Sequence, residues 1–287
     1  MPAASATAET HPASGSPSSA GATEQLPSVV STNLCADLLL LRLGRPEQIL
    51  SVSHQAQDPV VSPVTERAAG YPANQGAVEE LLYYGPDIAL TYLGWSGRPH
   101  SDLLARQGVR TVPLPYPQDL DDALEMTRSL AQTIGRAAAG ERATARATAR
   151  IAALPSQPHP YRTLYLRPNG GTAGRDTYID AMIQLLGLRN LAAEQGIRGW
   201  GRMPLEQVIA EPPDLILLGY FDKAQPPSQS RFARHPLLAD LLARVPTIGM
   251  PSDSAWGCGG LELIDAAEHI AAQLERLGPV SSPRPNR

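Results

Sequence analysis

The chain has 287 residues, a net charge of -4, a pI near 5.9 and Lys223 as its sole lysine, so it offers no basic field to a nucleic acid. No apolar run reaches the ~20 residues of a membrane helix, the amino terminus lacks the charged-then-apolar pattern of a signal peptide, and a soluble chain is expected. Two cysteines, Cys35 and Cys258, are too few for a disulfide framework and fit either redox compartment.

Residues 1 to about 27 are Ala, Ser, Thr, Pro and Gly with almost nothing to bury, so a disordered leader is expected, of the kind that follows a removed signal or a lipid anchor. Ser28 to Ser31 reads as a strand. Thr32 and Asn33 cap a helix from Cys35 to Leu43, closed by Gly44. A second strand, Ile49 to Val52, runs into the polar loop Ser53 to Pro59. Val78-Glu79-Glu80-Leu81-Leu82 then opens a short amphipathic helix, Pro86-Asp87 stops it, and Asp87 to Thr91 is a buried strand. The loop Tyr92 to Pro99 holds Trp95 and Arg98. Helix Ser101 to Gln107 and strand Val109 to Leu114 complete a β/α series, which implies a mostly parallel sheet.

From Asp119 to Ala153 the text is Ala- and Arg-rich with acidic residues at its start, and it reads as one helix of about 50 Å bent or interrupted at Gly135 or Gly140. A second series follows: strand Thr163 to Leu166, the glycine-rich loop Pro168 to Arg175, helix Tyr178 to Leu186, and the Trp200-bearing loop Glu194 to Met203. Leu205-Glu206-Gln207-Val208-Ile209 then repeats the earlier phrase, again running into Pro213-Asp214 and an apolar strand. Helix His235 to Ala243, strand Thr247 to Met250 and a last helix, Leu261 to Leu277, finish the chain before a disordered tail. The fold class is therefore α/β. Two Rossmann-like lobes with parallel sheets, residues 28–117 and 155–279, are joined by a long helix over 118–154 and leave a cleft between them.

An open α/β sheet leaves its crevice at the strand carboxyl ends. The loops there carry Asn33, Cys35, His54, Tyr92, Trp95 and Arg98 in the first lobe, and Arg175, Trp200, Arg202, Trp256 and Cys258 in the second. Three tryptophans in such loops suit a broad, flat or greasy ligand, and the arginines suit carboxylates or other anionic oxygens. The competing reading packs each tryptophan over its own turn and leaves each arginine solvated. Enzyme signatures are weak: the Gly170 to Gly174 glycines are not spaced as a dinucleotide loop, and there is no Gly-Lys-Ser/Thr, no H-E-x-x-H and no nucleophile elbow.

The order of strand, Asn33-to-Asp37 helix start, twice-used Glu…Pro-Asp phrase, lone connecting helix and Gly170-to-Arg175 loop resembles the helical-backbone (class III) periplasmic substrate-binding proteins. These serve ABC importers of ferric siderophores, haem and cobalamin. The resemblance spans residues 28 to 277 and implies a monomeric, extracytoplasmic, lipid-anchored protein without catalysis or cofactor, which passes a metal chelate to a membrane permease. It also implies that one surface glutamate per lobe docks on permease arginines, and Glu79 and Glu206 match those positions. Glu80 leaves the first of them ambiguous by one residue. Under the resemblance Cys35 and Cys258 border the cleft from opposite lobes. Three readings stay open for them: buried packing thiols, a disulfide across the cleft, or a soft metal site with His54. The alternative functions are a metal-dependent α/β enzyme using Cys35, His54 and Cys258, and a binding protein for a free transition-metal ion.

Overall fold

The computed structural model describes residues 26–92, 94–155, 161–221, 231–251 and 255–277. Most of the expected leader, the expected tail and much of the polar Pro-rich stretch lie outside these residues. Leu26 and Pro27, assigned to the leader, instead pack beside Gly135, and the Pro27 carbonyl accepts a bond from Gln48 at 3.0 Å.

The first lobe runs β1 (Val29–Ser31), α1 (Leu34–Leu43), β2 (Ile49–Ser53), α2 (Thr65–Ala68), β3 (Ala73–Asn74), α3 (Val78–Tyr84), β4 (Ile88–Tyr92), α4 (Ser101–Arg106) and β5 (Arg110–Leu114). Its strands form one parallel sheet in the order β3-β2-β1-β4-β5. Two helices, α5 (Leu120–Thr133) and α6 (Ala137–Ala153), lead to the second lobe. That lobe runs β6 (Arg162–Leu166), β7 (Gly171–Ala173), α7 (Tyr178–Leu185), β8 (Arg189–Asn190), α8 (Leu191–Glu194), β9 (Trp200–Arg202), α9 (Leu205–Ala210), β10 (Leu215–Leu218), α10 (Pro236–Arg244), β11 (Thr247–Gly249) and α11 (Glu262–Leu277). Its main sheet is parallel in the order β11-β10-β6-β8, and β7 and β9 pair separately as an antiparallel ribbon. Taking β6 for β1, β8 for β2, β10 for β4 and β11 for β5, the second sheet reproduces the first without β3.

The repeated Pro-Asp has a structural reason beyond ending a helix. Asp87 accepts the Ser28 amide at 2.7 Å, and Asp214 accepts the Arg162 amide at 2.8 Å. In each lobe the carboxylate thus satisfies a backbone donor at the entrance of the central strand, where the ladder leaves it open. The strands behind these anchors are apolar on both faces: Val29, Val30, Ala89, Leu90, Leu164, Leu215, Ile216 and Leu217 are all fully buried, and helices cover the parallel sheets. Each Leu or Ile so placed contributes on the order of 2 kcal/mol through removal from water.

The connector differs from the single long helix expected. Ile134 ends α5, Gly135 takes φ +69, and α6 starts two residues later. The left-handed glycine stops the helix, and the chain turns back on itself. A Cβ on Gly140 would lie 2.5 Å from the Ala131 Cβ and 3.6 Å from the Thr127 carbonyl oxygen, so only glycine lets the two helices approach this closely. The hairpin is anchored on both sides: Met126, Leu130 and Ile134 join the core of the first lobe, while Leu124 and Ala147 pack on Leu261 and Ile264 of the second. Arg150 adds ion pairs to Asp265 at 2.5 Å and Glu268 at 2.6 Å.

Candidate ligand-binding cleft

Asn33 caps α1 by accepting the Ala36 amide at 3.1 Å, which sets the start of that helix at the floor of the space between the lobes. From the other lobe the turn Ala255–Cys258, just before α11, meets it. Cys35 and Cys258 are joined there as a disulfide with a Cα separation of 5.4 Å, across 223 residues of sequence. Of the three readings open from sequence, the structure selects the disulfide. It corrects the metal option: both thiols are consumed, and His54 is left with a long contact to the Asn74 carbonyl at 3.4 Å. Among the described residues no group of three His, Cys, Asp or Glu side chains could hold a metal ion. Arg42 of α1 also pairs with Glu262 at the start of α11, tying the lobes a second time.

Above this floor lie two adjoining cavities, of about 530 Å³ and 380 Å³, which share Tyr116 and Tyr220 as a common wall. The larger takes in Asn33, Cys35, His54 and Tyr92 from the first lobe and Gly257 and Cys258 from the second. The smaller is an aromatic cage of Tyr116, Tyr165, Tyr178, Trp200 and Tyr220 with Arg167. Trp200 stands edge-on to Tyr165 and tilted to Tyr178, with centroids 6.3 and 5.4 Å away, and the Arg167 guanidinium lies 4.9 Å from the Tyr220 ring centre. Tyr116 reaches from the first lobe to the second. Its hydroxyl is 2.9 Å from that of Tyr178, and both hydroxyls lie within 2.9 Å of the Gly257 carbonyl oxygen. Two phenolic protons serve three contacts, so the trio is a compact network with one contact always short of a proton.

Burial raises the pKa of Tyr116, Tyr165 and Tyr178, and it pushes Tyr220 up to about 12 although Arg167 pulls the other way. The phenols are therefore neutral hydrogen-bonding groups at physiological pH. Tyr220 sits at φ +64, a conformation that costs a bulky residue on the order of 1–3 kcal/mol. The Trp256 ring, 4.7 Å away, backs it. Among the described residues only two buried side-chain polar atoms lack a hydrogen-bond partner, Asn33 Nδ2 and the Tyr165 hydroxyl, and both residues line these cavities. An unpaired buried polar group costs about 1–3 kcal/mol, a cost that a polar ligand group reaching either atom would offset.

The tryptophans divide. Trp200 is 42% exposed and lines the cage. Trp95 is 5% exposed, donates to the Gly76 carbonyl at 2.7 Å and packs on Val30, Leu81 and Leu104, so it belongs to the first lobe's core. Trp256 is 1% exposed and donates to the Pro251 carbonyl at 3.1 Å; it supports the cage from behind instead of facing the cleft. Arg98, Arg175 and Arg202 are exposed and lie outside the lining of both cavities. The guanidinium at the cage is that of Arg167, which sequence reasoning missed along with Tyr116, Tyr165, Tyr178 and Tyr220. A signal was present: nine tyrosines stand against two phenylalanines, and Tyr116, Tyr165 and Tyr220 fall at or just past strand carboxyl ends.

The repeat glutamates lie elsewhere. Glu80 accepts the amides of Gln75 at 2.8 Å and Ala77 at 3.0 Å, so it caps α3 and is engaged. Glu79 and Glu206 are exposed with no ion pair or side-chain hydrogen bond among the described residues. One turn beyond Glu79, Tyr83 is 84% exposed.

Comparison with known proteins agrees with this architecture. A cobalamin-binding protein of Halobacterium salinarum is 25% identical over 201 residues, covering 67% of this chain and 53% of the relative; the chain thus spans about half the length of the curated relatives it matches. Periplasmic heme-binding protein RhuT from Roseiflexus sp. RS-1 superposes with a TM-score of 0.68 at 26% identity, over 85% of this chain and 96% of that one. Periplasmic vitamin B12 binding protein BtuF of Vibrio cholerae does so with a TM-score of 0.61 at 16% identity, over 88% and 97%, a likeness of fold. The profile described as periplasmic binding protein matches residues 29–244, and with two parallel-sheet lobes enclosing an aromatic cleft the chain belongs to that family.

Proposed function

We propose that this protein captures a cobalamin-type metal chelate in the cleft, without chemical turnover, and delivers it to an ABC import permease outside the cytoplasm. The observation that carries the reading is the pairing of the aromatic cage with two unsatisfied buried groups on the cavity walls, Asn33 Nδ2 and the Tyr165 hydroxyl. Aromatic faces suit the broad flat body of a macrocycle. Neutral phenols and an amide suit the amide side arms of a corrin ring, which are neutral donors and acceptors, better than they suit a bare cation, which demands deprotonated ligands. The cobalamin-binding name of the curated relatives supports the same choice. A ferric siderophore or haem is the second reading, favoured by Arg167, whose guanidinium in the cage suits an anionic oxygen.

Titration with cyanocobalamin, hemin and ferrichrome, followed by tryptophan fluorescence and by recovery of unmodified ligand, tests this. Saturable quenching by cyanocobalamin that weakens at least tenfold in Trp200→Ala is expected. Tight binding of hemin or ferrichrome with indifference to cyanocobalamin would replace the ligand class, and turnover of any of them would end the transport reading.

A further inference from the structure

A third cavity, of about 350 Å³, lies on the opposite side of the floor from the cleft, at the far end of α1, and its rim carries the guanidiniums of Arg42, Arg136, Arg142, Arg146 and Arg150. Three of these recur every fourth residue of α6 and so share one helix face over about 12 Å. Among the described residues carboxylates offset only the two ends: Glu262 pairs with Arg42, and Asp265 and Glu268 pair with Arg150. Arg136 donates only to the Leu43 backbone carbonyl, at 3.2 Å, and Arg142 and Arg146 have no ion pair or side-chain hydrogen bond among the described residues. Like charges one turn apart are unfavourable by several tenths of a kcal/mol per pair, and here they line a concave trough in a chain whose net charge is -4. The trough floor is apolar, from Leu43, Ala143, Leu261 and Ile264.

We propose that this groove is a second binding site, for a phosphate-bearing anion with two or more charges. Guanidinium forks pair bidentately with phosphate oxygens, and the spread of the three uncompensated arginines suits an extended anion more than a single small ion. The apolar floor leaves room for the carbon part of a phosphoester. Because Arg42 belongs to the first lobe, the middle arginines to the hairpin and the floor partly to α11, the anion would touch all three parts of the molecule. The phosphate has two sources, a soluble phosphoester or a lipid headgroup.

The test uses the whole protein, inorganic pyrophosphate as the soluble probe, and phosphatidylcholine vesicles with and without phosphatidylglycerol as the lipid probe. Calorimetry should show saturable pyrophosphate binding that weakens as salt rises and falls at least tenfold in Arg142→Gln/Arg146→Gln. Arg175→Gln/Arg202→Gln, which alters two exposed arginines away from the groove, should leave it within twofold. Vesicle binding that depends on phosphatidylglycerol and on Arg142 and Arg146, without pyrophosphate binding, would support the site and assign its phosphate to lipid. Binding to neither probe, or binding equal in wild type and the Arg142/Arg146 variant at unchanged thermal stability, overturns the proposal.

Discussion

Tyr165 is the residue at which stability and binding are opposed. Its ring packs between Trp200 and Trp256, and its hydroxyl is buried without a partner. Tyr165→Phe keeps the shape and removes the orphan, so the ligand-free protein should gain about 1–3 kcal/mol in urea unfolding while cyanocobalamin binds severalfold more weakly. A loss of ligand-free stability would show that the hydroxyl is satisfied after all. Asp37 offers a pH test in the first lobe. It accepts the Ser53 amide at 2.9 Å and hydroxyl at 2.5 Å and a short bond from Ser31, yet burial dominates and raises its pKa from 3.8 to about 6. The folded protein holds this proton more tightly than the unfolded chain does. The corresponding stabilisation is fully present below about pH 3.8 and lost as pH rises through about 6, on the order of 3 kcal/mol in all. Asp37→Asn, whose amide can use the same serines, should flatten that part of the stability profile between pH 4 and 7.

At the level of elements, the contact between α1 and the turn before α11 joins the lobes. A disulfide closing 223 residues of separation restrains the unfolded chain strongly, by roughly 5 kcal/mol on chain-entropy grounds and roughly 2–5 kcal/mol in practice. Cys35→Ser/Cys258→Ser should lower the unfolding free energy by that amount in urea, and a mild reductant should do the same to the wild type. Equal stability of oxidised and reduced protein would mean that the apolar cluster of Leu34, Leu38 and Ala255 holds the junction alone. The helical hairpin supplies the rest of the linkage. Gly140→Leu would force the Ala131 contact apart and should destabilise by several kcal/mol, as overpacking without room to relax does.

Across the whole molecule, cleft and glutamates occupy different ends of the main strands, because Glu79 and Glu206 precede β4 and β10 while Tyr116, Tyr165 and Tyr220 of the cage lie at or just past the ends of β5, β6 and β10. Two exposed carboxylates at equivalent places on two similar lobes suit a partner that repeats its own basic surface. Glu79→Ala and Glu206→Ala should therefore cut vesicle-reconstituted transport at least tenfold together and leave ligand affinity within twofold; loss of ligand affinity would contradict the separation of roles. Tyr83, one turn from Glu79 and 84% exposed, should behave as an added anchor on that face. The hairpin, the disulfide and the Arg42–Glu262 pair all cross between lobes, so closure on the ligand should be a movement of about 1 Å or less in backbone, measurable by solution scattering with and without cyanocobalamin.

Patterns contained within about ten residues were legible in the chain alone. Apolar runs bounded by turn residues located β1, β2, β4, β5, β6, β10 and β11, but not the short β3 and β8 or the β7–β9 ribbon, which folds from stretches read as loops. Asn33 and Asp119 marked helix starts, and the doubled Glu…Pro-Asp phrase revealed two lobes with one exposed glutamate each. Those features depend on periodicity and on backbone donors and acceptors that neighbouring side chains satisfy. What the tertiary structure decided was long-range. The cage gathers Tyr116, Tyr165, Arg167, Tyr178, Trp200 and Tyr220 from both lobes; the fate of Cys35 rested on a partner 223 residues away; and Trp95 and Trp256 were withdrawn from the cleft by packing that no loop sequence displays. Gly135 alone permitted either a bend or a full reversal, and the close approach of Gly140 to Ala131 settled it as a hairpin, since that contact exists only once both helices are folded against each other.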